Sequence, residues 1–293
     1  VYTDEITTVS PTYANEIQTA YYGERLDGLL RARHESLTGI LNGIDVDEYN
    51  PNKDPQIVQT YNVVTQSKRK AVNKAALQEQ LGLEIRPDVP LIGMVTRLSS
   101  QKGLDLVERV LPEIMSLDVQ LVVLGMGEEK FVNLFNWAAH RYQGKVASWN
   151  QMNPELAHRI YAGADLFLMP SAFEPCGLSQ MIAMRYGTVP IVRETGGLKD
   201  TVQPFNPVTG EGVGFTFYSY NAHDMLDAIT RATTTYREDK KSWRKIIGNG
   251  MRGDYSWQHS AKKYMELYNK LAPEQAVPLK EEAKAEPKKD EEE

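Results

Sequence analysis

The stretch Asp165-Leu-Phe-Leu-Met-Pro-Ser-Ala-Phe-Glu-Pro-Cys-Gly-Leu-Ser-Gln-Met-Ile-Ala-Met-Arg-Tyr-Gly-Thr-Val-Pro-Ile-Val192 restricts the possible folds more than any other part of the chain. Residues 165–169 form a short apolar run, the mark of a buried strand. The prolines at 170 and 175 break it. Residues 177–186 contain no proline, and Leu178, Met181, Ile182 and Tyr186 fall on one helical face. Gly187 stands where a helix C-terminus is capped, and 188–192 is again β-rich. Strand, loop, helix and strand make a right-handed parallel crossover. Its loop lies at the carboxyl end of the first strand, the edge where open α/β sheets bind ligands. Glu174 sits on that loop. The free N–H groups of Cys176, Gly177 and Leu178 point into the same cleft, where they can bind an anion or a hydroxyl.

The same alternation runs through the chain and predicts an α/β fold, a Rossmann-like parallel sheet flanked by helices. Strands are expected at 91–96, at 119–124, weakly at 146–147, and at an edge at 214–217. The helix carrying Val107, Val110, Leu111 and Ile114 should kink or restart at Pro112. Phe131, Leu134, Phe135 and Ala138 stripe the next helix, and 154–163 forms another. Residues 69–81 read as a helix closed by Gly82, within an otherwise polar segment. Asn221 caps a helix that runs to about 237, and 243–251 and 256–271 are the last helices. Tyr264, Leu267, Tyr268 and Leu271 share a face of the last one. Residues 273–293 are mostly Lys, Glu and Pro and are expected to be a disordered tail.

Composition excludes several classes of function. With 293 residues, 41% of them hydrophobic and 25% charged, the chain can fold as one large or two medium soluble domains. The net charge of −6 and the absence of a compact basic patch argue against nucleic acid. No apolar run approaches the roughly 20 residues that span a bilayer, and the start carries no signal-peptide pattern. A single cysteine precludes an internal disulfide. The five histidines lack metal-ligand spacing with one another or with Cys176, so neither a metal nor a cofactor is expected.

The segments Phe173-Glu-Pro-Cys-Gly-Leu-Ser-Gln180, Met184-Arg-Tyr-Gly-Thr-Val-Pro-Ile-Val-Arg193 and Thr195-Gly-Gly-Leu-Lys-Asp-Thr-Val202 resemble bacterial glycogen synthase and plant starch synthase. That is glycosyltransferase family 5, of the two-domain GT-B fold, and the resemblance runs from about residue 2 to 271. It implies that the chain opens mid-protein and is the C-terminal half of a synthase, either a fragment or one subunit of a split enzyme. On that reading 1–44 is the end of the N-terminal domain and a hinge, where Gly39 and Gly43 supply unusual backbone angles. Residues 45–255 are the nucleotide-sugar-binding domain, 256–272 a crossover helix returning to the N-terminal domain, and 273–293 the charged tail. The family implies ADP-glucose as donor, the non-reducing end of an α-1,4-glucan (glycogen) as acceptor and retention of anomeric configuration. It further implies a bacterial cytoplasm, or a plastid in a plant, and a missing N-terminal synthase domain as partner.

Transfer of a sugar from a nucleoside diphosphate needs fixed positive charge or oriented N–H groups on the leaving group. Arg97 and Lys102 end one strand loop with four residues between them. A fork and a point charge there can reach one diphosphate together; by spacing alone two solvated loop cations is the more ordinary reading, and the resemblance of Arg97-Leu-Ser-Ser-Gln-Lys-Gly103 to the family motif favours the diphosphate. The resemblance gives Glu174 a place against the donor sugar, stabilising positive character in the ring. It also puts the N–H groups of Cys176, Gly177 and Leu178 on sugar hydroxyls. Related GT-B families carry a second Glu eight residues on, where this chain has Ile182. Ser179 is placed for a phosphate, or faces solvent as a helix-start serine. Gly196 and Gly197 let backbone approach the donor, or form a plain turn with a short helix from Leu198. Gly125-Met-Gly127 is a turn or lines the nucleotide side. Cys176 is a packed residue with no base to activate it, His158 is structural, and Trp149 and Tyr161 stack on adenine or, the favoured reading, belong to the core. Two other readings stand beside this one: a GT-B transferase using another nucleotide sugar, and a non-catalytic nucleotide-binding module.

Overall fold

The computed structural model describes residues 3–276. It opens on a small parallel pair, β1 (Ile6–Thr8) with β2 (Leu37–Gly39), and two short helices, α1 (Pro11–Glu16) and α2 (Asp27–Ala32). Helix α3 (Gln66–Gln80) leads into a parallel sheet built from β3 (Leu91–Val95), β4 (Gln120–Leu124), β5 (Val146–Trp149), β6 (Leu166–Met169), β7 (Val189–Arg193) and β8 (Phe215–Phe217). The crossovers are α4 (Leu104–Arg109), α5 (Leu111–Ser116), α6 (Glu129–Arg141), α7 (Pro154–Gly163), α8 (Ser179–Arg185) and α9 (Gly196–Thr201). Helices α10 (Ala222–Glu238), α11 (Lys240–Arg252) and α12 (Trp257–Leu271) close the chain.

The strand order is β5-β4-β3-β6-β7-β8. From β3 the chain winds outward through β4 and β5, then returns to place β6 on the other side, so the switch point lies between β3 and β6. The pleat divides the apolar residues between the two faces. Ile92, Met94, Leu121, Val123, Leu166, Leu168 and Ile191 pack with helices α4, α5, α6, α10 and α11. Leu91, Val122, Leu124, Phe167 and Val192 face α3, α7, α8 and α9. Pro112 restarts the helix, as α5. Gly187 ends α8 with φ +66°, and the Asn221 side chain caps α10.

Several local expectations change. Helix α8 is shorter than 177–186, and Leu178 is 43% exposed instead of sharing the buried face. The supposed hinge contains β2. Neither Gly39 nor Gly43 has positive φ; they are glycines because a Cβ would lie 2.2 Å from the Ser10 oxygen and 2.3 Å from the Trp257 nitrogen. Trp149 is 39% exposed on the edge strand β5, whereas Tyr161 is buried. Residues 273–275 form a turn of 3-10 helix; the tail expected beyond 276 lies outside the described residues. On α12, Leu267 is buried while Tyr268 and Leu271 are exposed. The helix starts beside Ile44, bridged to Ser256, and ends with Lys270 on Glu5 at 2.7 Å. No helix of the described residues is long and apolar enough to cross a membrane.

Helix α3 buries a largely polar face: Gln66, Lys70, Asn73, Lys74 and Gln78, with Leu77. Such a face needs partners for its polar groups; of its fully buried side-chain atoms only Gln78 Oε1 lacks one among the described residues. The Lys70 ammonium donates to the carbonyls of Ala162 (2.9 Å), Tyr161 (3.2 Å) and Tyr186 (3.2 Å) and to the Thr188 hydroxyl (2.7 Å). It thereby ties α3 to the C-terminal ends of α7 and α8. Close by, the buried Asp54 accepts from Tyr186 (2.5 Å) and lies 2.7 Å from His158 Nδ1, so His158 is structural.

Burial pushes the Lys70 ammonium down to about 7. The unfolded lysine titrates near 10.4, so between these values the unfolded chain binds the extra proton and stability rises with pH. Lys70→Met removes that slope. Urea unfolding of both proteins between pH 7 and 9.5 should give a stability difference that moves in favour of the wild type as pH rises; a difference independent of pH contradicts this.

Candidate functional site

The loops after β3, β4, β6 and β7 meet at the carboxyl edge of the sheet, across the switch point. They meet backbone to backbone. Gly103, with φ +69°, ends the β3 loop; a Cβ there would lie 2.0 Å from the Pro170 carbonyl oxygen of the β6 loop. At the β7 loop, a Cβ on Gly196 would lie 2.0 Å from the Glu174 carbonyl oxygen, and one on Gly197 2.0 Å from that of Cys176. The Gly197 N–H donates to the carbonyls of Glu174 (3.1 Å) and Pro175 (3.2 Å). The two glycines are therefore the first turn of α9, pressed against the 174–176 backbone, and not a loop preceding a helix. The turn at 125–127 bonds to the β3 loop through Leu98 N–H to the Met126 carbonyl (2.9 Å). Glu128 just beyond it accepts from the Ser100 N–H (2.9 Å) and hydroxyl (3.0 Å).

The chemical centre is an ion pair. Lys102 Nζ lies 2.6 Å from Glu174 Oε2, with the side chains 18% and 10% exposed. Ser171 donates to the same oxygen at 3.0 Å. A pair this enclosed forgoes much hydration and is held by its geometry. Arg97 stands apart: exposed, it donates to Gln101 Oε1 at 3.2 Å. Gln101 in turn holds the β6 loop, donating to the Phe173 carbonyl (3.3 Å) and accepting from the Ala172 N–H (2.8 Å).

Past Glu174 the chain turns through Gly177, φ +70°, with Gln180 directly beneath it. The N–H groups of Cys176, Gly177 and Leu178 have no hydrogen-bond partner among the described residues. Ser179 is the first residue of α8, and Tyr161 nearby is buried. Cys176 is 6% exposed, and burial, aided by Glu174 and Asp200, pushes its thiol up, away from nucleophilic reactivity. Among the described residues no group of three or more His, Cys, Asp or Glu side chains is arranged to hold a metal ion.

Three side chains at the site escaped sequence reading. Glu16 of α1 accepts from the Thr195 hydroxyl (2.9 Å) and the Gly196 N–H (3.0 Å) at the start of α9. At the other end of α9, Asp200 accepts from the Ser10 (2.5 Å) and Thr12 (2.5 Å) hydroxyls and the Thr12 N–H (3.1 Å). Arg193 braces the β6 loop through the Ala172 carbonyl (2.7 Å). The partners of Glu16 and Asp200 lie about 180 residues away in sequence, beyond any local pattern; Arg193 ends its strand, where a bracing cation is an ordinary possibility.

A doubly wound sheet with a charged, glycine-tight cleft at its switch point defines a ligand-binding α/β domain. The family model described as glycosyl transferases group 1 matches residues 78–249, and that of the starch synthase catalytic domain matches 1–32. The chain belongs to the group 1 glycosyl transferases. It is 60% identical over 271 residues to the glycogen synthases of Geobacillus thermodenitrificans and Geobacillus stearothermophilus, covering 92% of this chain and 56% of each relative. The catalytic domain of starch synthase IV from Arabidopsis thaliana, solved with ADP and acarbose, superposes with a TM-score of 0.86 at 39% identity, over 92% of this chain and 56% of that one. A sucrose-phosphate synthase from Thermosynechococcus elongatus shares the fold at 21% identity, with a TM-score of 0.60 over 92% of this chain and 59% of that one. The chain thus has the GT-B type of α/β sheet and spans a little over half the length of the curated relatives it matches.

The loop contacts predict a contrast between two substitutions. Gly82 has φ +68° with nothing within 4 Å of a Cβ, so Gly82→Ala costs about 1 kcal/mol of backbone strain. Gly197→Ala drives a methyl into the Cys176 carbonyl and should cost about 3 kcal/mol. Urea unfolding measures both, and equal losses would contradict so tight an approach at Gly197.

Proposed function

We propose that the chain is the donor-binding half of a glycogen or starch synthase-type glucosyltransferase. The observation that carries this reading is the meeting of Lys102 and Glu174 at the switch point, 2.6 Å apart, in a chain so similar to glycogen synthases. On this reading ADP-glucose is the donor and the non-reducing end of an α-1,4-glucan the acceptor, and the anomeric configuration is retained.

Each group has a role that its chemistry suits. The diphosphate draws Lys102 from Glu174, and Arg97, exposed at the rim, adds a second cation. The two neutralise charge as the glycosidic bond to phosphate breaks. Glu174, relieved of its partner, faces the sugar ring and stabilises its developing positive charge. The N–H groups of Cys176, Gly177 and Leu178 hold sugar hydroxyls or phosphate oxygens, Ser179 adds a hydroxyl, and Gly196 and Gly197 let the backbone close on the donor. Residues 45–255 make this domain, 1–44 and the helix at 256–272 belong with an N-terminal synthase domain, and that domain supplies acceptor contacts across the cleft. The bacterial relatives support a cytoplasmic setting.

The test is glucose transfer from ADP-glucose to glycogen, with UDP-glucose in parallel. Transfer is expected when the chain is joined to a family N-terminal domain, and not by the chain alone. In the joined enzyme Glu174→Ala should lose most turnover, at least about a hundredfold, while ADP still binds. Unchanged turnover removes Glu174 from the chemistry, and preference for UDP-glucose replaces the donor.

A further inference from the structure

The opposite edge of the sheet carries a cavity of about 480 Å³, where α3 faces α11 at the amino ends of β3, β6 and β7. That volume suits a small-molecule ligand. Two of its lysines, Lys70 and Lys74, are buried, and two cations, Lys240 and Arg244, stand exposed at the mouth. Tyr236, Trp243 and Ile247 form an apolar wall.

The charges do not balance. Asp165 is the one carboxylate lining the cavity, and it is already engaged by Lys74 (2.7 Å) and the Leu91 N–H (2.9 Å). The Lys70 ammonium has only neutral oxygens around it, three carbonyls and a hydroxyl. Lys240 donates to the Tyr236 carbonyl and lies 4.2 Å from that ring's centroid. Arg244 has no hydrogen bond or ion pair among the described residues. Lys74, Lys240 and Arg244, with a Lys70 that burial leaves only partly protonated near neutral pH, face one carboxylate in a chain of net charge −6, a local reversal of sign. Low-dielectric walls concentrate such a field in the cavity.

We propose that this cavity is a second binding site, for a small organic phosphate with a planar or apolar body. Arg244 and Lys240 provide the direct contacts, the guanidinium as a two-pronged donor. Lys74 acts through its field, since its own donors are occupied. The aromatic wall takes the body of the ligand. Helix α8 runs from the cavity to the donor loops: Gly187 lines the cavity, Lys70 grips the Tyr186 carbonyl at the end of α8, and the other end of α8 carries Cys176 to Ser179.

The test is calorimetric titration with sodium pyrophosphate at constant ionic strength, using the full chain. Lys102→Ala removes one of the two cations proposed for the diphosphate on the other edge, and its effect on ADP binding tests that reading by itself. In the Lys102→Ala background pyrophosphate should still bind. Adding Lys240→Ala and Arg244→Ala should weaken it by about tenfold or more, the factor for ~1.4 kcal/mol. Lys241→Ala with Lys245→Ala, which removes equal charge from the same helix outside the cavity, should leave it unchanged. With Lys102 intact, the Lys240→Ala, Arg244→Ala chain should keep the part of ADP binding that Lys102→Ala weakens. No binding of pyrophosphate in the Lys102→Ala background, or equal weakening by both pairs, overturns the proposal.

Discussion

Backbone against backbone at the carboxyl edge of the sheet is the constraint on which the rest of the site depends. The strands fix where four loops begin, but glycines decide how closely the loops meet. Gly103 admits the Pro170 carbonyl, and Gly196 and Gly197 admit those of Glu174 and Cys176. With side chains at these positions the loops would stand apart by the width of a methyl or more. Glu174 then could not sit on Lys102. Close packing joins three loops into one wall, and a wall is what a pre-organised polar site needs. The first segment of the chain completes it: Glu16 and Asp200, with Ser10 and Thr12, fasten both ends of α9. The wall therefore spans the part that matches the starch synthase catalytic domain and the part that matches group 1 glycosyl transferases.

The Lys102–Glu174 pair gives that wall its polarity. Enclosed ions gain from each other only what they lost in hydration, so the pair contributes little net stability while holding two opposite charges ready. An anionic ligand can compete for the lysine because the exchange replaces one carboxylate by another oxyanion. On the far edge the logic is reversed. Lys70 and Lys74 are held by carbonyls and by Asp165, and the cations outnumber their counter-ions. Helix α8 joins the two edges, its amino end at Cys176 to Ser179 and its carboxyl end at Tyr186 and Lys70.

Much of the fold was legible because burial on both faces of a sheet leaves continuous apolar strands, and crossover helices leave stripes. Leu91, Phe131, Leu166 and Ile191 announce their elements this way. The place of Glu174 at the carboxyl edge was legible from the apolar strand before it, but position alone reads it as a solvated or capping acid, and only the resemblance of the surrounding motif suggests a role. The partnership of Lys102 was not legible: spacing suggests Arg97 beside it, and only the folded loop turns it onto Glu174. Helix α3 buries lysines, asparagine and glutamine, so hydrophobic periodicity finds its length but not its inner face. The glycines at 196 and 197 read as a loop because glycine disfavours helices, yet the carbonyls of 174–176 leave no room for anything larger there. Trp149 reads as core by its side chain, but β5 is an edge strand, and half of its surroundings is solvent.

The most direct test of the donor-site account is hydrogen exchange of the chain with and without ADP. The account predicts that ADP slows exchange at the loops 97–103, 171–178 and 194–197, the segments joined by the glycine contacts and the Lys102–Glu174 pair. Protection that appears elsewhere and leaves these three loops unchanged would contradict it.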